Sequence, residues 1–204
     1  MVRDGIPYVV APIVLGVPPA FFGYWPISLG LLAVAGFMAF FFRDPRRLVP
    51  TEPGIVVAPA DGRVTVVKRA DGRENSESLV SIFLSPLDVH VNRSPIGGEI
   101  TEITYKSGKF LMATNEQARL LNEQNTLTIR GSGLTIRCTQ IAGILARRIV
   151  CWKREGERVE CGERFGMIKF GSRTDLVMPA SVKIVIEEGM HVRGGVTIIG
   201  RITK

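Results

Sequence analysis

Phe165-Gly166-Met167-Ile168-Lys169-Phe170-Gly171-Ser172-Arg173-Thr174-Asp175-Leu176-Val177-Met178-Pro179 reads as a strand, a Gly-Ser corner and a second strand. Apolar residues crowd both arms. The corner joins a residue that lacks a Cβ to a residue with a hydroxyl. Glycine reaches backbone angles that other residues avoid and leaves its carbonyl open to close approach. Ser172 Oγ could therefore reach the Gly171 carbonyl. Taken by itself, a Gly-Ser pair at a strand end is most often an ordinary turn. No Gly-x-Ser-x-Gly elbow surrounds it, so a hydrolase nucleophile is not indicated.

A repeat flanks this stretch. Glu155-Gly-Glu-Arg-Val-Glu-Cys-Gly162 and Glu188-Gly-Met-His-Val-Arg-Gly-Gly195 share Glu-Gly-x-x-Val-x-x-Gly at an offset of 33 residues. Each copy precedes an apolar run, Phe165–Phe170 and Val196–Ile199. Such paired short hairpins resemble the flattened barrel-sandwich of lipoyl and biotin carriers, although no carrier lysine sits at a Met-Lys-Met turn. The pattern continues upstream. Ile55–Pro59 and Arg63–Val67 read as strands around an Asp-Gly turn. Leu79–Leu84, Gly98–Tyr105, Asn125–Ile136 and Ile144–Trp152 read as further strands. Only Asn115–Asn122 looks helical. The expected fold of residues 48–204 is mainly β, a barrel-sandwich domain with little helix.

The first 47 residues differ in kind. No charged residue occurs from Ile6 to Phe42, about 37 residues against the roughly 20 that cross a bilayer as helix. Gly16-Val-Pro-Pro19 and Gly23-Tyr-Trp-Pro26 interrupt the run. The expectation is therefore two short helices, about 7–22 and 26–42, forming a hydrophobic membrane anchor. Arg3 precedes the run and Arg43, Arg46 and Arg47 follow it, which favours both ends in the cytoplasm. The run is too long for a cleaved signal peptide and lacks a small-residue cleavage site. A buried soluble helix pair is the competing reading.

The net charge is +7, and the first 42 residues hold only Arg3 and Asp4, so the excess lies in residues 43–204. A basic soluble part suits nucleic acid or an anionic membrane surface. Cys138, Cys151 and Cys161 are odd in number and lack Cys-x-x-Cys spacing, which argues against a disulfide framework and a zinc site. Only His90 and His191 could carry histidine chemistry. A lone histidine in a β-rich chain is usually structural, and an Asp-Gly aspartate such as Asp61 is usually a turn residue.

Three stretches together resemble the phosphatidylserine decarboxylases, in their short bacterial and archaeal form. Arg164-Phe-Gly-Met-Ile-Lys-Phe-Gly-Ser-Arg-Thr-Asp-Leu176 is similar to the family's self-cleavage motif. Leu84-Ser-Pro-Leu-Asp-Val-His90 is similar to its Leu-Ser-Pro-x-Asp-x-His segment. Ala58-Pro-Ala-Asp-Gly62 is similar to its Pro-x-Asp-Gly turn. Phe41-Phe-Arg-Asp-Pro45 also has a counterpart there. Longer enzymes of the family carry a second histidine three residues after the first, where this chain has Arg93. The resemblance implies that His90, oriented by Asp61, takes the Ser172 proton. The Gly171–Ser172 bond would then break, giving chains 1–171 and 172–204. Ser172 would become a pyruvoyl group, a covalent cofactor that accepts electrons as carbon dioxide leaves a serine headgroup. No metal or pyridoxal is implied. Arg93 and Arg173 are candidates for the lipid phosphate. The implied activity is conversion of phosphatidylserine to phosphatidylethanolamine at the cytoplasmic face of the cell membrane. The implied partners are the phospholipid, the membrane, the chain's own two fragments and a second copy in a homodimer, with no nucleic acid. An ether-linked lipid with the same headgroup is an alternative substrate.

Two readings compete. A membrane-anchored carrier or binding module would stay a single chain. A membrane-tethered serine protease needs a lysine beside its serine, and Lys169 is expected to point away from Ser172 by strand alternation. His191, at the place of Arg158 in the repeat, reads as a surface turn residue.

Overall fold

The computed structural model describes residues 1–71, 73, 76–112, 117–144, 148–169 and 172–203. The chain divides into two units, Met1–Arg46 and Arg47–Lys204.

The first unit is helical. A 3-10 turn at Arg3–Gly5 leads into α1 (Ile6–Phe21), and α2 is Trp25–Phe41. Both helices agree with the expected spans of about 7–22 and 26–42 to within a residue, and α1 continues through the Gly16–Pro19 interruption. Pro18 and Pro19 supply no amide donors in the last turn of α1, so the Val14 and Leu15 carbonyls lose their usual helical partners. The chain turns at Gly23, which takes φ +80°. Phe22 N and Tyr24 N bond back to the Pro18 and Pro19 carbonyls. Gly16 is buried where the helices meet, and Ser28 Oγ donates to its carbonyl at 2.8 Å. Small residues with a hydroxyl at a close helix crossing suit a lipid environment. Val14, Leu15, Val17, Phe21, Leu29 and Leu32 are all exposed. Arg3–Phe21 is long and apolar enough to cross a membrane, by length and composition; α2 is shorter.

The second unit is mainly β, in agreement with the sequence. Its strands are β1 (Ile55–Val57), β2 (Gly62–Lys68), β3 (Glu77–Leu84), β4 (Val91–Arg93), β5 (Gly98–Lys106), β6 (Gln124–Gly131) and β7 (Leu134–Ile141). They continue as β8 (Ile149–Cys151), β9 (Arg158–Val159), β10 (Arg164–Ile168), β11 (Ser172–Pro179), β12 (Val182–Ile184), β13 (His191–Val192) and β14 (Ile198–Ile202). The helix expected over 115–122 is reduced to α3, Ala118–Leu121; residues 115 and 116 of that span lie outside the described residues. The single strand expected over 125–136 is a hairpin, β6–β7. Ser132 and Gly133 form its two-residue turn, with φ +53° and +74°. Positive φ at both positions gives the twist that a tight hairpin requires. The run expected from Ile144 to Trp152 shortens to β8, and residues 145–147 within it lie outside the described residues.

Strands order as β1-β14-β12, as β4-β10-β8, and as an eight-stranded β13-β2-β3-β11-β7-β6-β5-β9. β11 lies inside the largest sheet, paired antiparallel with β3 and β7. Its pairing with β3 has no bulge, so side chains alternate strictly: Ser172, Thr174, Leu176 and Met178 share one face. Leu176 and Met178 join Val80, Ile82, Leu84, Ile136, Cys138, Leu127 and Ile129 in one buried core. Ser172 therefore points inward, and Arg173 and Asp175 point to the opposite face.

The sequence repeat has a structural counterpart. Its two copies carry β9 and β13, the edge strands of the large sheet. Gly156 N bonds the Ile100 carbonyl at 2.8 Å, and Gly189 N bonds Val64 O at the same distance. Gly162 N bonds Ser94 O, and Gly195 N bonds Ala58 O, again both at 2.8 Å. A second repeat that sequence reading did not find thus becomes visible: Ala58-Pro-Ala-Asp-Gly-Arg-Val64 corresponds to Ser94-Pro-Ile-Gly-Gly-Glu-Ile100. The first copy has Asp61 where the second has Gly97. Beside it, Gly62 takes φ +148°, and a Cβ there would lie 2.1 Å from the Phe83 carbonyl oxygen. Gly62→Ala is expected to destabilise the unit by about 1–3 kcal/mol, read by denaturant unfolding. An unchanged midpoint would show that the turn can shift without loss.

Candidate functional site

The register gathers the sequence-predicted residues at one end of the large sheet. One row crosses it as His191, Arg63, Phe83, Arg173 and Ile141. Ser172 pairs with Leu84, one step nearer the end. Asp61 precedes β2 at that end. His90 lies six residues beyond Leu84, after the Ser85–Val89 turn. Its carbonyl accepts from Ile168 N at 3.3 Å, in the last residue of β10. Ser172 and His90 thus stand at the ends of two short connections that leave the same sheet edge. Phe170 and Gly171, on the carbonyl side of the expected scissile bond, lie outside the described residues. β10 ends at Ile168, so Lys169 shares no strand with Ser172 and the alternation argument does not apply to it.

Ser172 is fully buried, and its Oγ has no hydrogen-bond partner among the described residues. Leaving a buried hydroxyl unpaired costs about 1–3 kcal/mol. Native structures keep few such groups, and those that persist call for an explanation.

His90 is also fully buried. Its Nδ1 lies 3.0 Å from the Asp88 carbonyl oxygen. A carbonyl only accepts, so Nδ1 carries the proton, and in the neutral form of the ring Nε2 is the basic nitrogen. That is the tautomer a general base needs. Asp88 in turn is fixed by the turn it closes. Its carboxylate accepts from Ser85 N at 2.8 Å, and its own amide bonds the Ser85 carbonyl at 2.9 Å.

Asp61 has different partners from those expected. Its Oδ2 accepts from Arg47 Nη2 at 2.6 Å and its Oδ1 from Gly194 N at 2.8 Å. No hydrogen bond joins Asp61 to His90 among the described residues; the Asp88 carbonyl holds the imidazole. Asp61 ties its turn to the repeat loop after β13, and Arg93 N ties the same turn to β4 through the Pro59 carbonyl at 2.9 Å.

The two candidate arginines separate. Arg173 is buried on the outer face. Its Nε donates to Asp175 Oδ1 at 2.6 Å and its Nη2 to Ser81 Oγ at 2.7 Å. Arg119 adds a second cation 3.3 Å from Asp175. Arg173, Arg119 and Lys68 line a cavity of about 290 Å³ there with Leu79 and Leu120. Arg93 is half-buried, and its Nη1 donates to the Gly162 carbonyl at 3.0 Å.

Sequence reading missed three contributors. Arg47 had been counted only as a basic flank. Asp88 lay inside the quoted motif without a role, although Ser-x-x-Asp is a turn-closing signal. His191, read as a surface turn residue, is exposed and also places Nε2 3.4 Å from Asp88 Oδ1. The cysteines are all free thiols, and burial raises the pKa of each, which favours the thiol over the thiolate. Among the described residues no group of three or more His, Cys, Asp or Glu could hold a metal ion.

The family model for phosphatidylserine decarboxylase matches residues 34–200. Among curated proteins, the phosphatidylserine decarboxylase proenzyme of Pelodictyon phaeoclathratiforme is 44% identical over 178 residues, 86% of this chain and 84% of that one. The proenzyme of Symbiobacterium thermophilum is 43% identical over 206 residues, 99% of this chain and 95% of that one. That of Solibacter usitatus is 44% identical over 201 residues, covering 98% and 96%. With most of its length matched at this level by the family model and by these relatives, the chain belongs to the phosphatidylserine decarboxylase family.

Proposed function

We propose that this protein is a pyruvoyl-dependent phosphatidylserine decarboxylase that cuts itself between Gly171 and Ser172. The observation that carries the proposal is the Ser172 hydroxyl at the head of β11, buried and without a partner among the described residues. A hydroxyl kept unpaired is available to attack the carbonyl of the preceding residue. His90 Nε2 takes the Oγ proton as Oγ adds to the Gly171 carbonyl. The C–N bond breaks, the amine takes a proton, and the peptide becomes an ester. Removal of the Ser172 Cα proton then expels the Gly171 carboxylate and leaves a dehydroalanine. Its imine tautomer takes up water and releases ammonia, which leaves a pyruvoyl group at position 172.

The site fits such a group. It lies at a chain end created by the cut, inside the core, with ladder bonds to β3 and β7 holding the residues behind it. The pyruvoyl carbonyls would supply the electron sink for loss of carbon dioxide from the serine headgroup. His90 is the group placed to hold a proton for delivery to the headgroup carbon. We assign the lipid phosphate to Arg93 rather than Arg173. By alternation Arg173 lies on the face opposite Ser172, and its guanidinium is occupied by Asp175 and Ser81. Arg173 serves as a clamp between β11 and β3.

The test is turnover of phosphatidylserine in detergent. Carbon dioxide release with formation of phosphatidylethanolamine is expected, together with labelling of the small chain by a carbonyl reagent. A purified protein that releases no carbon dioxide from this lipid overturns the proposal. The first 46 residues are proposed to anchor the enzyme at the cytoplasmic face of the cell membrane. A chain that begins at Arg43 should still cut itself, because Asp61, His90 and Ser172 all remain. It should lose about tenfold or more of its activity on lipid vesicles while keeping most of it in detergent, since the anchor raises the local substrate concentration. Loss of self-cleavage would mean that the helices are structural for the β unit.

A further inference from the structure

Ser172 heads β11 and His90 immediately precedes β4, and these two strands are not partners. β4 pairs with β10, and β11 pairs with β3 and β7. What joins them is a chain of buried polar side chains. Asn92, two residues after His90, donates from Nδ2 to Thr174 Oγ1 at 3.0 Å. Thr174 is two residues after Ser172. Asn92 Oδ1 accepts from Gln140 Nε2 at 2.9 Å, and Gln140 Oε1 accepts from Asn125 Nδ2 at 3.0 Å. Asn92, Gln140 and Thr174 are completely buried, and Asn125 is nearly so. Every polar atom of the Asn92 and Gln140 side chains has a partner. β10 makes room for the network with a glycine: a Cβ on Gly166 would lie 3.0 Å from Gln140 Nε2.

A core can be filled more simply with leucine and valine. Apolar contacts tolerate sliding, whereas a chain of hydrogen bonds fixes both distance and direction. This chain runs from β6 through β7 to the strand after His90 and ends on the strand headed by Ser172. Its last bond sits at equal distance in sequence from both reacting residues. When the bond before Ser172 breaks, β11 loses its covalent link to β10. The Asn92–Thr174 bond then remains as a side-chain tether between β11 and β4, the ladder partner of β10.

We propose that the Asn92–Thr174 bond, braced by Gln140 and Asn125, is a positioning device that holds His90 in register with residue 172. The proposal rests on the self-cleavage reading above. It assigns Asn92, Thr174 and Gln140 as positioning residues; they do not touch the reacting atoms.

Thr174→Val and Thr174→Ser separate positioning from packing. Valine keeps the shape and loses the acceptor; serine keeps the acceptor and loses a methyl group. Conversion of the full-length precursor into two chains is followed with time on gels. Folding of each variant is checked by thermal unfolding in a Ser172→Ala background, where no cleavage intervenes. Thr174→Val is expected to slow cleavage by about ten- to a hundredfold, the scale of a small misplacement of reacting groups. Thr174→Ser should restore the rate to within about threefold of wild type. If serine is as slow as valine or slower, the site is packing and the proposal is overturned. A Thr174→Val chain that cleaves at the wild-type rate overturns it as well. If the Thr174→Val precursor does not fold, Gln140→Met gives the same readout from the brace, with slow cleavage in support and wild-type cleavage against. Failure of the wild-type chain to cleave at all would instead strike the self-cleavage reading itself.

Discussion

Ser172→Ala is expected to remain one chain of 22.4 kDa, whereas the wild-type protein separates into residues 1–171 and a 33-residue fragment, 172–204. The loss should be complete, because alanine supplies neither the attacking oxygen nor the leaving group for elimination. Decarboxylation should disappear with it. N-terminal sequencing should read the large chain and find the small one blocked, since a pyruvoyl group carries no amine. The variant should fold at least as well as wild type. It removes a buried hydroxyl that has no partner among the described residues, and an unpaired group of that kind destabilises by about 1–3 kcal/mol. A higher melting temperature for Ser172→Ala is thus part of the expected result. A wild-type preparation that stays wholly at full length, with a free amine at Met1, would refute the mechanism.

His90→Ala is expected to slow self-cleavage by about 10²–10⁴-fold, the usual contribution of a positioned general base. The imidazole is buried and held through Nδ1 by the Asp88 carbonyl at 3.0 Å. That bond leaves Nε2 as the basic atom. His191→Ala is the control. His191 is 63% exposed in its side chain and faces Asp88 at 3.4 Å, and an exposed pair of that type is worth about 0–1 kcal/mol. Cleavage should therefore change by no more than a few-fold. A His191 variant as slow as the His90 variant would mean that the roles of the two histidines had been exchanged. Asp61→Asn should fall between them. Its carboxylate holds Arg47 and Gly194 rather than His90, so its loss loosens the turn without removing the base.

Much of this was legible in local sequence. The charge-free run from Ile6 to Phe42 gave two helices whose ends agree within a residue or so with α1 and α2. Glycine spacing in the two Glu-Gly-x-x-Val-x-x-Gly copies gave corners that are built alike. The Phe165–Pro179 stretch gave β10, a connection and β11. In each case the signal is a property of a few adjacent residues: hydropathy, a missing Cβ or a period of two. The misreadings were local as well. Ser132-Gly133 was absorbed into one long strand, although a small polar residue before glycine is a hairpin turn signal.

The sequence by itself determined the fold class, the apolar helical leader and the self-similar corners, and it supplied Ser172 and His90 as the candidates proposed to carry the chemistry. Tertiary structure alone decided what each of them touches. Asp61 and Asp88 are both turn aspartates near a histidine motif. Only the register of β2 against β3, and the bond from Gly194, show that Asp61 faces Arg47 and that the Asp88 carbonyl holds the ring. Arg173 follows the key serine directly in sequence, yet strand alternation sends it to the other face. Asn92, Gln140, Asn125 and Thr174 are spread over 83 positions and share no motif. They meet because β4, β6, β7 and β11 enclose one core, in which a polar side chain must find its partner in another strand. Local sequence records which groups need partners; long-range pairing of strands decides which partners they receive.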